Sequence, residues 1–262
     1  MNGVPKLLEV QVSEKVYVSF ELEASNAGGH SSLPRRDNAI YDLAAALDAI
    51  SRFDFPARLS YVVRMFAAKS VAYESGDMAA ALQVLATGTP TPEQLRLAST
   101  NPTFNAQMRT TCVATRLEGG HADNALPQRA KATVNCRRLP GEKADFVESE
   151  LRRVAGARVA VRPKNPAFMS EPTDARSPVM ATIERVGSAL WPTAEILPVM
   201  SSGATDGSRL RNANIPVYGV MGLFVERGEN RLHGRDERLG VKSFHEGLEF
   251  HYRLATALGA GE

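Results

Sequence analysis

Residues 15–24, Lys15-Val16-Tyr17-Val18-Ser19-Phe20-Glu21-Leu22-Glu23-Ala24, alternate apolar and polar side chains. Val16, Val18, Phe20 and Leu22 fall on one side, and Tyr17, Ser19, Glu21 and Glu23 on the other, which is the period of a half-buried strand. The strand runs into Ser25-Asn26-Ala27-Gly28-Gly29-His30-Ser31-Ser32, a loop built from turn formers. Asp37 is placed to cap a helix whose apolar residues Ile40, Leu43, Leu47 and Ile50 recur at helical spacing.

Outward from this start, a second strand is expected near residues 57–66, and residues 70–110 read as an insertion with little strand character. Within the insertion, Asp77 to Ala86 suits a short helix. Thr91-Pro92-Glu93-Gln94 offers an N-cap, a first-turn proline and a capping glutamine for another, and Asn101-Pro102 closes the region. Strands resume at Thr110–Leu117 and Ala130–Arg137. Phe146, Val147, Leu151 and Val154 mark a helix, and Arg158–Arg162 a short strand. The expected product is an open four-stranded βαββαβ sheet with its helices on one face.

Pro163 to Asp174 holds three prolines and few regular signals, so a boundary is placed there. Beyond it Ser177-Pro178 opens a helix carrying Val179, Ile183, Val186 and Leu190. A strand Ile196–Met200, a strand Ile215–Leu223 and a final helix from Lys242 to Leu258 follow. These suggest part of an α/β layer.

Composition narrows the function classes. The 262 residues carry a formal charge of +2 spread without a basic block, which argues against dedicated nucleic-acid binding. Cys112 and Cys136 are too few for a disulfide framework or a four-cysteine zinc site, and read as ordinary strand thiols. No run approaches ~18 apolar residues, so no membrane-spanning helix is expected.

Four loops carry the chemistry-bearing residues. His30, between glycines and hydroxyls, is either an exposed imidazole that donates a hydrogen bond or takes a proton, or a loop histidine without a task. Asn124, in Asp123-Asn124-Ala125-Leu126-Pro127, is a substrate-contacting amide or a turn former. His121 and Asp123 have His-x-Asp spacing but lie in a Gly-Gly turn without acidic neighbours, and are rejected as a metal pair. Ser201-Ser202-Gly203-Ala204-Thr205-Asp206-Gly207 packs hydroxyls and glycines after an apolar strand, a composition suited to holding a carboxylate or other anion. His233, followed by Asp236 and Glu237, is either a zinc ligand oriented by a carboxylate or part of a charged surface loop. His251 falls on the stripe Val241, Phe244, Leu248 and Ala255 and is expected in the interior, with His245 at its edge. Arg137 and Arg138, at a strand end, clamp a carboxylate or are solvated.

Together these segments resemble one family. Gly28-Gly29-His30-Ser31-Ser32-Leu33-Pro34 with Asp37-Asn38-Ala39-Ile40 looks like the opening of the lid, or dimerisation, domain of the dinuclear-zinc aminoacylase/carboxypeptidase family of metallopeptidases. Asn124-Ala125-Leu126-Pro127, Ala132 to Arg137 and Pro140-Gly141-Glu142 are similar to its second lid segment. Ser202 to Gly207 and His233 to Glu237 look like its C-terminal catalytic motifs. The insertion is similar to that of the larger carboxypeptidase branch.

The resemblance implies an α/β protein with an α+β lid. Residues 1–14 would end a catalytic segment or form a linker, 15–165 the lid, and 166–262 the C-terminal part of the catalytic domain. It implies a homodimer formed through the lid, two Zn2+ ions, and cleavage of amide bonds in dipeptides or N-acyl amino acids. It assigns oxyanion stabilisation in the partner subunit's site to His30, and substrate binding to Asn124 and Arg137. Ser202, Gly203 and Thr205 would line the pocket, and His233 would be the last zinc ligand. In the family the remaining ligands, including a His-x-Asp and a Glu-Glu pair, precede the lid, and no Glu-Glu pair occurs here. One ligand does not hold catalytic zinc, which takes about three protein ligands plus water. The chain is therefore expected to be inactive by itself, or to serve as a non-catalytic dimerisation or binding module. Residues 166–262 are expected to be the less stable half or to be covered by a partner. Cytoplasmic and periplasmic locations stay open.

Overall fold

The computed structural model describes residues 4–166, 168–226, 231 and 234–261. Strand β1 (Leu7–Glu14) passes through the single residue Lys15 into β2 (Val16–Ser25), and a short arm strand β3 (Gly29–His30) follows. Helix α1 (Ala39–Ser51) comes next, then four insertion helices, α2 (Tyr61–Ser70), α3 (Gly76–Thr87), α4 (Pro92–Ser99) and α5 (Pro102–Met108). Strands β4 (Thr111–Gly119), β5 (Ala125–Leu126) and β6 (Arg129–Arg138), helix α6 (Ala144–Ala155) and strand β7 (Val159–Pro163) complete the first layer. The rest is α7 (Pro178–Leu190), β8 (Glu195–Ser201), α8 (Gly207–Asn212), β9 (Gly219–Val220) and α9 (Val241–Ala260).

The alternation in β2 does what its period requires. Val18, Phe20, Leu22 and Ala24 are buried beneath α1 and α6 with Ala132, Val134 and Val161, while Tyr17 stays 41% exposed. β2 pairs antiparallel with β6 from Val16 opposite Arg138 to Ser25 opposite Arg129, and with β7 on its other side. The four strands run in the order β4-β6-β2-β7, so β4 is an edge and the βαββαβ expectation is met. The helices cover one face; Tyr17, Ser19, Lys131, Asn135 and Arg137 belong to the other.

Several local expectations are corrected. The cap of α1 is Asn38, whose side chain accepts from the Ile40 amide; Asp37 instead pairs with Arg35, which holds its carboxyl down at about 2. No strand forms at 57–66. Ser60 caps α2 through the Val63 amide, and Val62, Val63 and Ala67 are buried at helical spacing, so tertiary packing overrides the strand preference of Tyr61-Val62-Val63. Asn101 opens α5 rather than closing the insertion, accepting from the Thr103 and Phe104 amides. Cys112 and Cys136 lie directly opposite on β4 and β6 and are joined as a disulfide with Cα atoms 4.1 Å apart. The expectation of free thiols fails because the register brings the two side chains to the same face.

The second sheet has the order β8-β1-β9. β1 runs parallel to β8, and residues 7–14 are thus one of its strands; β9 is antiparallel to β1. The strand expected at Ile215–Leu223 shrinks to Gly219–Val220, because Asn214 and Gly222 adopt positive φ and turn the chain on either side. α7 and α9 close one face around Val10, Val12, Ile183, Trp191 and Phe250.

The expected face of α9 is also corrected. Its buried residues are Ser243, Gly247, Phe250, Leu254 and Ala257, whereas Val241, Phe244 and Leu248 are 73%, 46% and 54% exposed. His251 is exposed rather than interior, with Nε2 3.1 Å from the Met221 carbonyl oxygen. The cause is backbone approach. A Cβ on Gly247 would lie 2.9 Å from the Gly222 carbonyl oxygen, so the 222–224 segment seats on the side of the helix that lacks side-chain bulk. Ser243 Oγ accepts the Phe224 amide at 2.7 Å on the same side. Among the described residues no helix is long and apolar enough to cross a membrane.

Candidate functional site

His30 sits on a two-stranded arm. Gly29 pairs with Leu126 and His30 with Ala125, and the Ser31 amide donates to the Asn124 carbonyl at 3.0 Å. The pairing depends on glycine: Gly28 has φ +76°, and a Cβ there would lie 2.7 Å from Gln128 Cγ. Asn26 braces the arm, accepting the Gly28 amide and donating to the Asp37 carbonyl. The structure therefore brings His30 and Asn124 together, both exposed. The Ser32 amide donates to His30 Nδ1 at 3.2 Å, and the Ser32 hydroxyl lies 2.8 Å from the same nitrogen. With Nδ1 accepting, the neutral imidazole carries its proton on Nε2 and presents an N–H donor outward.

Arg137 lies elsewhere. It pairs in register with Tyr17 and stacks 5.0 Å from that ring's centroid, on the open face of the sheet. His30's arm leaves the Arg129 end of β6 and Arg137 stands at the other end, roughly 25 Å away at the rise of a strand. Within one chain, the candidate oxyanion donor and the candidate carboxylate clamp do not share a site.

The Ser201–Gly207 loop follows β8 at the Arg137 end. Ser202, Gly203, Ala204 and Thr205 are exposed as residues, and the Gly203 amide donates to Ser201 Oγ at 3.1 Å. Beneath the loop lies Glu14, which sequence reading passes over. It is fully buried, and its Oε2 accepts from the Thr205 amide (2.9 Å), the Thr205 hydroxyl (2.5 Å) and Gln11 Nε2 (2.9 Å). Arg211, also buried, approaches Glu14 Oε1 at 3.7 Å and donates to Thr173 Oγ1 and the Val217 carbonyl. Burial pushes the Arg211 guanidinium below its usual pKa, and Glu14 works against that shift.

Lys15 is likewise fully buried. Its amide donates to the Ser201 carbonyl at 2.9 Å, and its Nζ to the Arg109 carbonyl (2.7 Å) and Thr111 Oγ1 (3.1 Å). Burial lowers its pKa to about 7, opposed by Glu142 and assisted by Arg137. Both contacts are donated by Nζ, so two of its N–H groups are held by the protein. Glu142 in turn accepts from the Thr110 hydroxyl, and Arg138 donates to the carbonyls of Glu142 and Phe168. The dipeptide Glu14-Lys15 is thus the crossing point of both sheets, the loop and the insertion. Its sequence signal is two opposite charges between two apolar strands.

His233 lies outside the described residues. Arg231 pairs with Asp236. Among the described residues no three His, Cys, Asp or Glu side chains come together to hold a metal ion. The described donor set does not fit the zinc pair that the resemblance implies.

Residues 12–162, more than half of the chain, match the model of the M20 peptidase dimerisation domain. The chain belongs to that family. The matched span of this M20 member contains Glu14, Lys15, His30, Asn124 and Arg137 but not the Ser201–Gly207 loop. Over 95% of its length it is 26% identical to a probable carboxypeptidase S-like 2 of Dictyostelium discoideum, of which it covers 48%. It is 26% identical over 94% of its length to the human N-fatty-acyl-amino acid synthase/hydrolase PM20D1, covering 50%. The M20 member thus spans about half the length of these curated relatives. An M20 family metallo-carboxypeptidase, Sso-CP2 from Sulfolobus solfataricus, shares the fold with a TM-score of 0.59 and 15% identity, over 97% of this chain and 62% of that one.

Proposed function

We propose that this chain is the lid and the C-terminal catalytic segment of a zinc-dependent exopeptidase or amidohydrolase acting on dipeptides or N-acyl amino acids, working as a homodimer. The lid would comprise residues 15–165 and the catalytic segment residues 166–262. The observation that carries the reading is the separation of His30 from Arg137 and the Ser201–Gly207 loop within one chain. An exposed donor on a glycine-hinged arm, far from its own chain's carboxylate clamp, suits delivery into the site of a second copy. There His30 Nε2–H would face the oxygen on which charge develops, as a preorganised donor that needs no reorganisation. Asn124 would contact substrate beside it. Arg137 would grip the substrate carboxylate, Ser202, Gly203 and Thr205 would belong to the pocket loop, and His233 would be a metal ligand.

The lack of a three-ligand cluster among the described residues supports a second reading: a dimerisation or binding module without hydrolytic activity. Sedimentation, zinc analysis and hydrolysis assays on N-acetyl amino acids and dipeptides test both. The expected result is a dimer with no stoichiometric zinc and no turnover. A monomer would overturn delivery of His30 in trans, and two tightly bound zinc ions with turnover would overturn the inactivity.

A further inference from the structure

All three polar groups of Thr205 are turned inward. Its amide and hydroxyl both donate to Glu14 Oε2, its carbonyl accepts the Ser208 hydroxyl at 3.0 Å, and its Oγ1 also accepts the Gly207 amide at 3.1 Å. Gly207 makes room for this: a Cβ there would lie 3.1 Å from Thr205 Oγ1 and 3.2 Å from Arg211 Nη1. Glu14 is fixed from below by Gln11 and balanced by Arg211, and among the described residues Glu14 Oε1 and Arg211 Nη1 make no hydrogen bond but face each other at 3.7 Å. A buried carboxylate accepting an amide, a hydroxyl and a side-chain amide is a strong fixed point, because charge-assisted hydrogen bonds in a low-dielectric setting are costly to break.

We propose that Glu14 and Thr205 form an anchor that sets the conformation of the Ser201–Gly207 loop, so that Thr205 is a positioning residue and the exposed Ser202–Ala204 tip is the part turned to a ligand carboxylate. The ligand half of this statement rests on the reading of the loop as pocket-lining; the anchor half does not. The anchor joins a residue of the family-matched span, Glu14, to a loop outside it, and so couples the pocket loop to the β1–β2 crossing.

Amide hydrogen exchange on the 262-residue chain tests the anchor with Glu14→Gln, Thr205→Val and Thr205→Ser. Thr205→Val and Glu14→Gln are expected to speed exchange at the Thr205 and Gly207 amides by on the order of tenfold or more, while amides of β2 and β6 keep their rates. Thr205→Ser restores the hydroxyl and is expected to exchange like the parent. A general packing defect would not be rescued by serine, and would spread through β1 and β8. Unchanged loop exchange in Thr205→Val, or no rescue by serine, overturns the anchor, and this pair decides even where Glu14→Gln fails to fold. Titration with N-acetyl-L-alanine, read by amide chemical shifts, separates the ligand half. Shifts confined to 202–204 are expected. Shifts centred on Thr205 would overturn its positioning role, and no loop shifts at all, with the exchange results intact, would remove the pocket-lining reading and leave the anchor standing.

Discussion

The four-stranded and three-stranded sheets close their cores in different ways. In the four-stranded sheet, β2 is a ten-residue strand flanked on both sides, and its apolar period alone decides which side chains α1 and α6 cover. In the three-stranded sheet β9 is two residues long, and the orientation of α9 follows from the close backbone approach at Gly222 and Gly247. The first core is therefore specified by side-chain pattern, the second by which backbone segments can touch. One consequence is that α9 carries two stripes of apolar residues and buries only one.

The largest expected effects set the two cores side by side. Phe20→Ala and Phe250→Ala each remove a fully buried ring and should cost about 3–5 kcal/mol in denaturant unfolding. If both sheets unfold as one unit, the two variants share a single transition; separate transitions would sharpen the contrast by showing that the Lys15 crossing does not couple them. Next is the pH response of that crossing. Because Lys15 has its pKa lowered to about 7 from 10.5, the unfolded chain binds more protons between those values. Stability should then rise with pH across that window, by at most about 1.4 kcal/mol per pH unit, and lose the slope in Lys15→Met. Gly247→Ala should follow, at about 1–3 kcal/mol, since the added methyl meets the Gly222 carbonyl; no loss would break the argument that backbone approach selects the face of α9. The smallest effect is expected for Leu248→Lys, within about 0.5 kcal/mol, because the side chain is 54% exposed. A loss of several kcal/mol there would mean that the exposed stripe is covered, in solution, by a second surface.

The readable and unreadable parts of the molecule divide along the same line. The capping box of Thr91 and Gln94 forms as its spacing requires, because both partners lie within one turn of chain. Residues 57–66 mislead because Tyr61-Val62-Val63 favours a strand locally, while Ser60 and burial against the neighbouring insertion helices favour a helix. His30 and Asn124 were legible as candidates from their glycine and turn settings, and their adjacency comes from a ladder of two residue pairs. Glu14 was not legible, since a carboxylate at a strand end ordinarily faces water, two of its three donors come from position 205 and its counter-charge comes from 211. The Cys112–Cys136 bond was hidden for the same reason: only strand register makes those two residues opposite.

What the sequence determined by itself is the strand and helix periods from which the βαββαβ layer is built, the caps at Thr91 and Ser177 and the identity of the exposed loops, each of which rests on residues close along the chain. Only the tertiary structure decided that the two-stranded arm carrying His30 lies at the end of β6 away from Arg137, that α9 turns its glycine face inward, and that the charged pair Glu14-Lys15 is buried where the two sheets cross. Those outcomes depend on partners tens to hundreds of residues away, whose positions the local periods of strand and helix leave open.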